Sequence, residues 1–311
     1  MDFLSVQNLN TTYNSDKGPV RAVQNVSFSI NSGESVGIVG ESACGKSTLG
    51  LSLIRTVSGG KIESGTITMA GKSILDLSNN EFDSQYRWKK ISMIFQGAMN
   101  SLDPVYTISQ LFSEILKQHK SQDHPKSLMK SALSEVGLDE SILKKYPHEL
   151  SGGMKQRVVI AMALLLKPNL VIADEPTTAL DVLVQSQILN LFKSLKKQGV
   201  SFMVISHDLA VISEVCEKIG IMYAGQMVEF GTSEQILQNP KHPYTQALIQ
   251  SIPRLHDTQK PKYIAGYPPG LVNPKPGCRF ASRCPHVMEK CNQDPKTTKT
   301  ESGYVQCWLY E

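Results

Sequence analysis

Nine residues constrain this chain more than any others: GESACGKST, residues 40–48. They fit the spacing G-x-x-x-x-G-K-S/T. The run before them, SVGIVG at residues 35–40, is compact and apolar and reads as a buried strand, while residues 49–54 read as a helix. A strand feeding a glycine-rich loop that opens a helix is what a phosphate cradle requires. Gly40 and Gly45 let the backbone turn so that its N–H groups face one point, with Glu41, Ser42, Ala43 and Cys44 forming the turn between them. Lys46 would neutralise the β- and γ-phosphates of a nucleotide, and the Ser47 hydroxyl would bind Mg2+. Thr48 follows in the first helical turn, whose dipole favours an anion. A chance glycine-rich turn would need neither flank. The Cys44 thiol lies in this positive field, which tends to lower a thiol pKa; the competing and preferred reading is a small filler residue.

The rest of the chain alternates in a way that suits such a loop. Val23, Val26, Phe28 and Ile30 suggest short, partly exposed strands, and TITMAGKSI around Thr66 suggests a hairpin turning at Gly71. ISMIFQ (residues 91–96), LVIADEP (170–176) and FMVISHD (202–208) each begin as a buried strand. Between them the period changes: Ile108, Leu111, Phe112, Ile115 and Leu116 recur at helical spacing, and a mostly helical region runs to about Tyr146. Ile188, Leu191, Phe192 and Leu195 mark another helix, ending near Gly199, and residues 220–231 read as a hairpin turning at Ala224-Gly225. Strands alternating with helices predict a mostly parallel sheet covered on both faces.

LVIADEP places two acids at a strand end. Asp174 would hold Mg2+ and Glu175 could polarise the attacking water. Two carboxylates beside a triphosphate are costly without a divalent ion between them.

LSGGMKQR, residues 150–157, resembles the signature of ABC-transporter ATPases, and the other motifs fall in the family's order. The resemblance implies an α/β P-loop NTPase of the ABC type. Its expected parts are a mostly parallel sheet core, an antiparallel β subdomain, a helical subdomain at about residues 97–160 inside an ATPase domain of residues 1–252, and a cysteine-containing extension at 253–311. Residue by residue, Tyr13 would stack on adenine. Gln96 in IFQ resembles the Q-loop glutamine and would join Ser47 and Asp174 around Mg2+. Asp181 in ALD lies in the D-loop, and His207 in ISHD resembles the switch histidine that contacts the γ-phosphate. Ser151, Gly152 and Gly153, ahead of a helix starting near Met154, would form a second anion cradle. In the family that cradle caps the γ-phosphate held by a partner chain, so two nucleotides are sandwiched head to tail. Ala43 departs from the family's frequent glycine, and alanine resists positive φ.

Further stretches resemble one branch, the dipeptide, oligopeptide and nickel importers: NSLDP (residues 100–104), HPYTQALIQSIP (242–253) and GYPPGLVNPKPGCRFASRCPHVMEKC (266–291), with VQCW at 305–308. Six of the sixteen prolines lie between Pro253 and Pro276, as in a linker or extended arm. Cys278, Cys284, Cys291 and Cys307 follow, separated by five, six and fifteen residues. Four thiolates suit a tetrahedral zinc site or a [4Fe–4S] cluster; the close C-x-x-C pairs of zinc knuckles are absent. The resemblance favours the cluster, with zinc and reduced free thiols as the alternatives. Cys216 reads as buried packing within a helix.

Bulk properties set the remaining limits. The net charge of +4 gives no concentrated basic face, so no nucleic-acid partner is expected. The longest apolar run, residues 158–166, is nine residues, against the ~20 that span a bilayer. No secretory leader pattern opens the chain. The expected location is the cytoplasmic face of the cell membrane, peripherally bound. The resemblance implies a second, similar ATPase subunit in a heterodimer, two transmembrane permease subunits, and an extracytoplasmic solute-binding protein acting indirectly. A soluble ABC ATPase without transport is the alternative. It would favour tandem ATPase halves or a long coiled coil, and neither pattern is present. A nucleotide-dependent metal sensor is a third reading, which the motifs do not require.

Overall fold

The structure is a computed structural model and describes residues 2–120, 124–252 and 264–311. They form two compact units. One, the loop unit, comprises Asp2–Ile30, Val36–Leu75 and Ser206–Glu311; the other, the helical unit, comprises Asn31–Ser35 and Asp76–Ile205.

The loop unit opens with β1 (Asp2–Tyr13), β2 (Val20–Asn31), β3 (Val36–Val39), α1 (Lys46–Leu53), β4 (Gly60–Met69) and β5 (Lys72–Ser73). β2, β1, β4 and β5 lie side by side in that order, with β1–β4 and β4–β5 antiparallel. The alternating Val23, Val26, Phe28 and Ile30 belong to one twelve-residue strand with those side chains buried. The β1 ladder slips between Gln7 and Asn10, with Asn8 at φ +49°. A bulge of this kind breaks the period-two pattern of β1, and in β2 Asn25 sits at φ +53° between buried Val23 and Val26.

The helical unit follows with α2 (Asn79–Gln85), β6 (Ile91–Ile94), α3 (Ile108–Gln118), α4 (Pro125–Glu135), α5 (Gly152–Leu164), β7 (Leu170–Asp174), α6 (Val182–Lys197) and β8 (Ser201–Ser206). β6 pairs parallel with β7, and β7 with β8: Ile91 faces Leu170, and Leu170 faces Ser201. Every residue of the three strands is buried, as parallel strands covered on both faces must be. α3 starts on a capping box of Thr107 and Gln110 and buries Ile108, Leu111, Phe112 and Leu116, four of the five residues of its predicted stripe, with Ile115 half-buried.

The chain returns to the loop unit with α7 (Leu209–Val215), β9 (Lys218–Tyr223), β10 (Gln226–Thr232), α8 (Ser233–Gln238) and α9 (Pro243–Gln250). β9 runs parallel to β3 and antiparallel to β10, turning at Ala224-Gly225, both at positive φ. Cys216 caps the C-terminus of α7 and is buried there. Residues 253–263, the first part of the proline-rich segment, lie outside the described residues. Beyond it, β11 (Thr297–Lys299) and β12 (Tyr304–Gln306) extend the sheet past β10, with Phe230 opposite Tyr304. The sequence reading placed no strand there. Among the described residues, no helix is long and apolar enough to cross a membrane.

Candidate active site

In the loop unit, the phosphate loop leaves the C-terminal end of β3 and enters α1. Gly45 caps α1 at φ +102°, and a Cβ there would strike the Ala22 carbonyl oxygen; one at Gly40 would strike that of Met222. Both positions therefore demand glycine. Ala43 sits at φ +60°, so the loop does hold an alanine in the left-handed region. Lys46 is buried, and its Nζ donates to the carbonyls of Gly40 and Glu41, each at 2.8 Å. The ammonium is thus fixed at the centre of the loop by the backbone it would help to present. The first turn of α1, with Lys46, Ser47 and Thr48, supplies N–H groups that a helix cannot pair internally.

Cys44 is buried beside Lys46, and burial pushes its thiol pKa up; the ammonium works in the opposite direction and loses. The lowered pKa suggested by its position does not occur, and Cys44 is the filler residue. Tyr13 closes β1 with its hydroxyl 3.4 Å from Thr48 Oγ1. His207 is exposed just after β8, one residue before Asp208, which caps α7.

In the helical unit, β7 delivers the acidic pair. Asp174 is 3% exposed. Glu175, the next residue, is half-buried and held at φ +51°, a conformation that a side-chain-bearing residue adopts at a cost. The Thr178 hydroxyl donates to Glu175 Oε2 at 3.0 Å, which fixes the carboxylate's direction. Gln156, buried on α5, donates to the Pro176 carbonyl at 2.7 Å. That bond ties the signature helix to the exit of the acidic strand. Ser151 caps α5 by accepting from the Met154 N–H, so the helix begins at Gly152, two residues earlier than its sequence suggests. A Cβ on Gly153 would lie 3.0 Å from Val184, whereas one on Gly152 would come only within 4.0 Å of Leu180. Asp181 caps α6, accepting from the Val184 N–H at 2.9 Å. Gln96 is exposed just past β6.

The residues read from the sequence therefore divide between the units. Tyr13, Gly40, Glu41, Ser42, Ala43, Cys44, Gly45, Lys46, Ser47, Thr48 and His207 belong to the loop unit. Gln96, Ser151, Gly152, Gly153, Asp174, Glu175 and Asp181 belong to the helical unit. Thr178, Gln156, Tyr244 and Arg283 were not singled out. Gln156 lies inside LSGGMKQR and Thr178 between ADEP and ALD, while Tyr244 and Arg283 lie in the C-terminal stretches and act on the phosphate loop from far along the chain.

The four C-terminal cysteines converge. Cys278, Cys284, Cys291 and Cys307 line one small cavity in the loop unit, with His242 and Phe280 among its other walls. Its water-sized space is about 10 Å³, room for about one water. None is in a disulfide. Burial raises the Cys278 thiol to about 11, and the neighbouring thiols push it the same way. Cys284 and Cys307 are raised as well, chiefly by burial. As they stand, no three His, Cys, Asp or Glu among the described residues are arranged to hold a metal ion. His242 is fully buried, its Nδ1 accepts the Tyr244 N–H, and its Nε2 has no partner among the described residues.

Comparison with known proteins agrees with this geometry. The profile of the ABC transporter family matches residues 23–178, and that of the oligopeptide/dipeptide transporter C-terminal region matches residues 228–291. The dipeptide transport ATP-binding protein DppD of Bacillus subtilis is 44% identical, over 99% of this chain and 95% of its own. The oligopeptide transport ATP-binding protein OppD of Escherichia coli is 41% identical, over 97% and 91%. Among solved structures, the ATP-binding cassette MJ0796, a dimer in a post-hydrolysis state bound to ADP and Pi, superposes with a TM-score of 0.65 at 28% identity, over 74% of this chain and 98% of that one. The chain belongs to the ABC transporter family, among the ATP-binding subunits that carry the oligopeptide/dipeptide transporter C-terminal region.

Proposed function

We propose that this chain is the ATP-hydrolysing subunit of a membrane importer of peptides, or of related solutes such as nickel complexes or oligosaccharides. The observation that carries this reading is its near full-length similarity to dipeptide and oligopeptide transport ATP-binding proteins. In support, the catalytic candidates Glu175 and His207 and the LSGG signature are all intact.

In this mechanism the loop at residues 40–48 binds the triphosphate through backbone N–H groups and Lys46, and Tyr13 stacks on the base. Ser47, Asp174 and Gln96 would hold Mg2+, which when bound would supply positive charge against the triphosphate. Glu175 accepts a proton from the attacking water, and His207 contacts the γ-phosphate. Ser151, Gly152 and Gly153, with Asp181, serve the nucleotide of a second, similar ATPase subunit in a heterodimer. ATP binding closes the pair and hydrolysis reopens it. The ATPase pair lies peripherally at the cytoplasmic face of the membrane, two transmembrane permease subunits convert its motion into uptake, and an extracytoplasmic solute-binding protein delivers the solute. The permeases dock near the loop after Gln96 and the helices that follow.

Copurification tests the transport role. A tagged chain extracted from membranes in mild detergent should bring down two multi-span proteins and a second ATPase in near-equal amounts. Recovery from the soluble fraction alone, without them, contradicts it.

The four cysteines are further proposed to hold a [4Fe–4S] cluster. What supports the reading is donor chemistry alone: four thiols line one cavity, beside a buried His242 Nε2–H with no acceptor among the described residues, although as they stand no three of these groups are arranged to hold a metal ion. The present space takes about one water, so loading must widen it and remove the thiol protons. The cluster would supply structure or redox sensing. Protein purified without oxygen should show a broad band near ~400 nm and about four irons per chain. Colourless protein with one zinc would keep the ligand set and reject the cluster, and metal-free protein would reject both.

A further inference from the structure

The segment between Cys278 and Cys284 reaches back to the phosphate loop. The Arg283 side chain is 5% exposed, and its Nη1 lies 3.0 Å from both carboxylate oxygens of Glu41, the second residue of the loop. The same nitrogen donates to the Tyr223 hydroxyl at 3.1 Å. Nη2 donates to the Ile264 carbonyl and Nε to that of Ala265. The guanidinium is thus held in one position from every edge.

Glu41 is held as firmly. Its N–H donates to the Tyr244 hydroxyl at 3.0 Å, and its carbonyl is one of the two that accept from Lys46. Tyr223 and Tyr244 pack with ring centroids 4.6 Å apart, and both rings meet Phe280, which lies between Cys278 and Arg283 in the chain. A second tie runs parallel. Arg279 donates to the Ala224 carbonyl, and the next residue, Gly225, donates its N–H to the Cys44 carbonyl at 2.9 Å. The cysteine segment therefore braces the loop at Glu41 and at Cys44, on both sides of strained Ala43.

We propose that Arg283 is a positioning residue for ATP binding: through its ion pair with Glu41, the C-terminal cysteine segment sets the conformation of the phosphate loop. The pair is mostly desolvated, so loss of either partner leaves a poorly solvated charge that must be relieved by moving the loop or the tail. Arg283 directly precedes Cys284, so whatever the thiols hold is linked by one residue to the group that holds Glu41. The brace itself stands whether or not the thiols bind a metal.

A double-mutant cycle on the full-length chain tests this. ATP affinity is measured by calorimetry at fixed Mg2+, with the thermal midpoint recorded for every variant. Glu41→Gln and Arg283→Gln should each weaken ATP binding by about tenfold, and the double variant by about the same tenfold rather than a hundredfold. Arg283→Lys, which keeps the charge but not the fork, should recover part of the loss. ATP affinity within about twofold of wild type in both single variants, with only the midpoint lowered, would reduce Arg283 to a tail fastener and overturn the proposal. Additive losses would overturn it too, since the two residues would then act separately. Should Arg283→Gln fail to fold, the cycle is run with Arg283→Lys, whose smaller loss of ATP affinity should vanish on the Glu41→Gln background; a loss that persists there would overturn the proposal.

Discussion

Glu175→Gln is expected to keep ATP bound while slowing its hydrolysis by about a thousandfold, the scale of a lost general base. Glutamine has the shape of glutamate and still offers an oxygen to the Thr178 hydroxyl, which now donates at 3.0 Å. The left-handed backbone at φ +51° and the N–H bond to Ile205 make no use of the carboxylate's charge. What disappears is the capacity to take a proton from water. On the proposed mechanism, binding would still close the ATPase pair, but the step that reopens it would fail. The variant should therefore accumulate as a nucleotide-bound dimer in sedimentation experiments with Mg2+ and ATP. Phosphate release within tenfold of the wild-type rate would show that another group is the base.

Lys46→Ala should weaken ATP binding by about a hundredfold or more, because it removes two things at once. The first is the charge that would meet the β- and γ-phosphates. The second is the loop's internal brace, since Lys46 Nζ bonds both the Gly40 and the Glu41 carbonyls at 2.8 Å. Losing the brace should also lower the stability of the nucleotide-free protein by about 1–2 kcal/mol, the usual scale for buried acceptors left without a donor. Calorimetry with ATP and a thermal melt without it separate the two effects. Unchanged ATP affinity would remove Lys46 from the phosphate site.

The sequence was most legible where function and local structure coincide. GESACGKST needs a buried strand before it and a helix after it, and β3 and α1 supply them. The apolar runs that became β6, β7 and β8 read correctly because strands buried on both faces leave no polar alternation to misread. Ser151 and Asp181 were singled out for family reasons, and both turn out to be helix caps, which local chemistry alone could have suggested. Legibility failed where structure depends on distant partners. β11 and β12 are three residues each, too short to show a period, and exist because β10 offers an edge. The Arg283–Glu41 pair spans 242 positions, and nothing local to either residue announces it. For Cys44 the preferred filler reading agrees with its burial, while the competing lowered-pKa reading arose because sequence shows the nearby lysine but not the burial that outweighs it.

Steady-state phosphate release, measured on the complex captured from membranes with this chain as bait, tests the central claim most directly. The account predicts saturable Mg2+-dependent ATP hydrolysis that falls to a residual level when this chain carries Glu175→Gln, and whose ATP requirement rises steeply when it carries Lys46→Ala. Hydrolysis that continues undiminished in both variants would contradict it, because the activity would then belong to another chain.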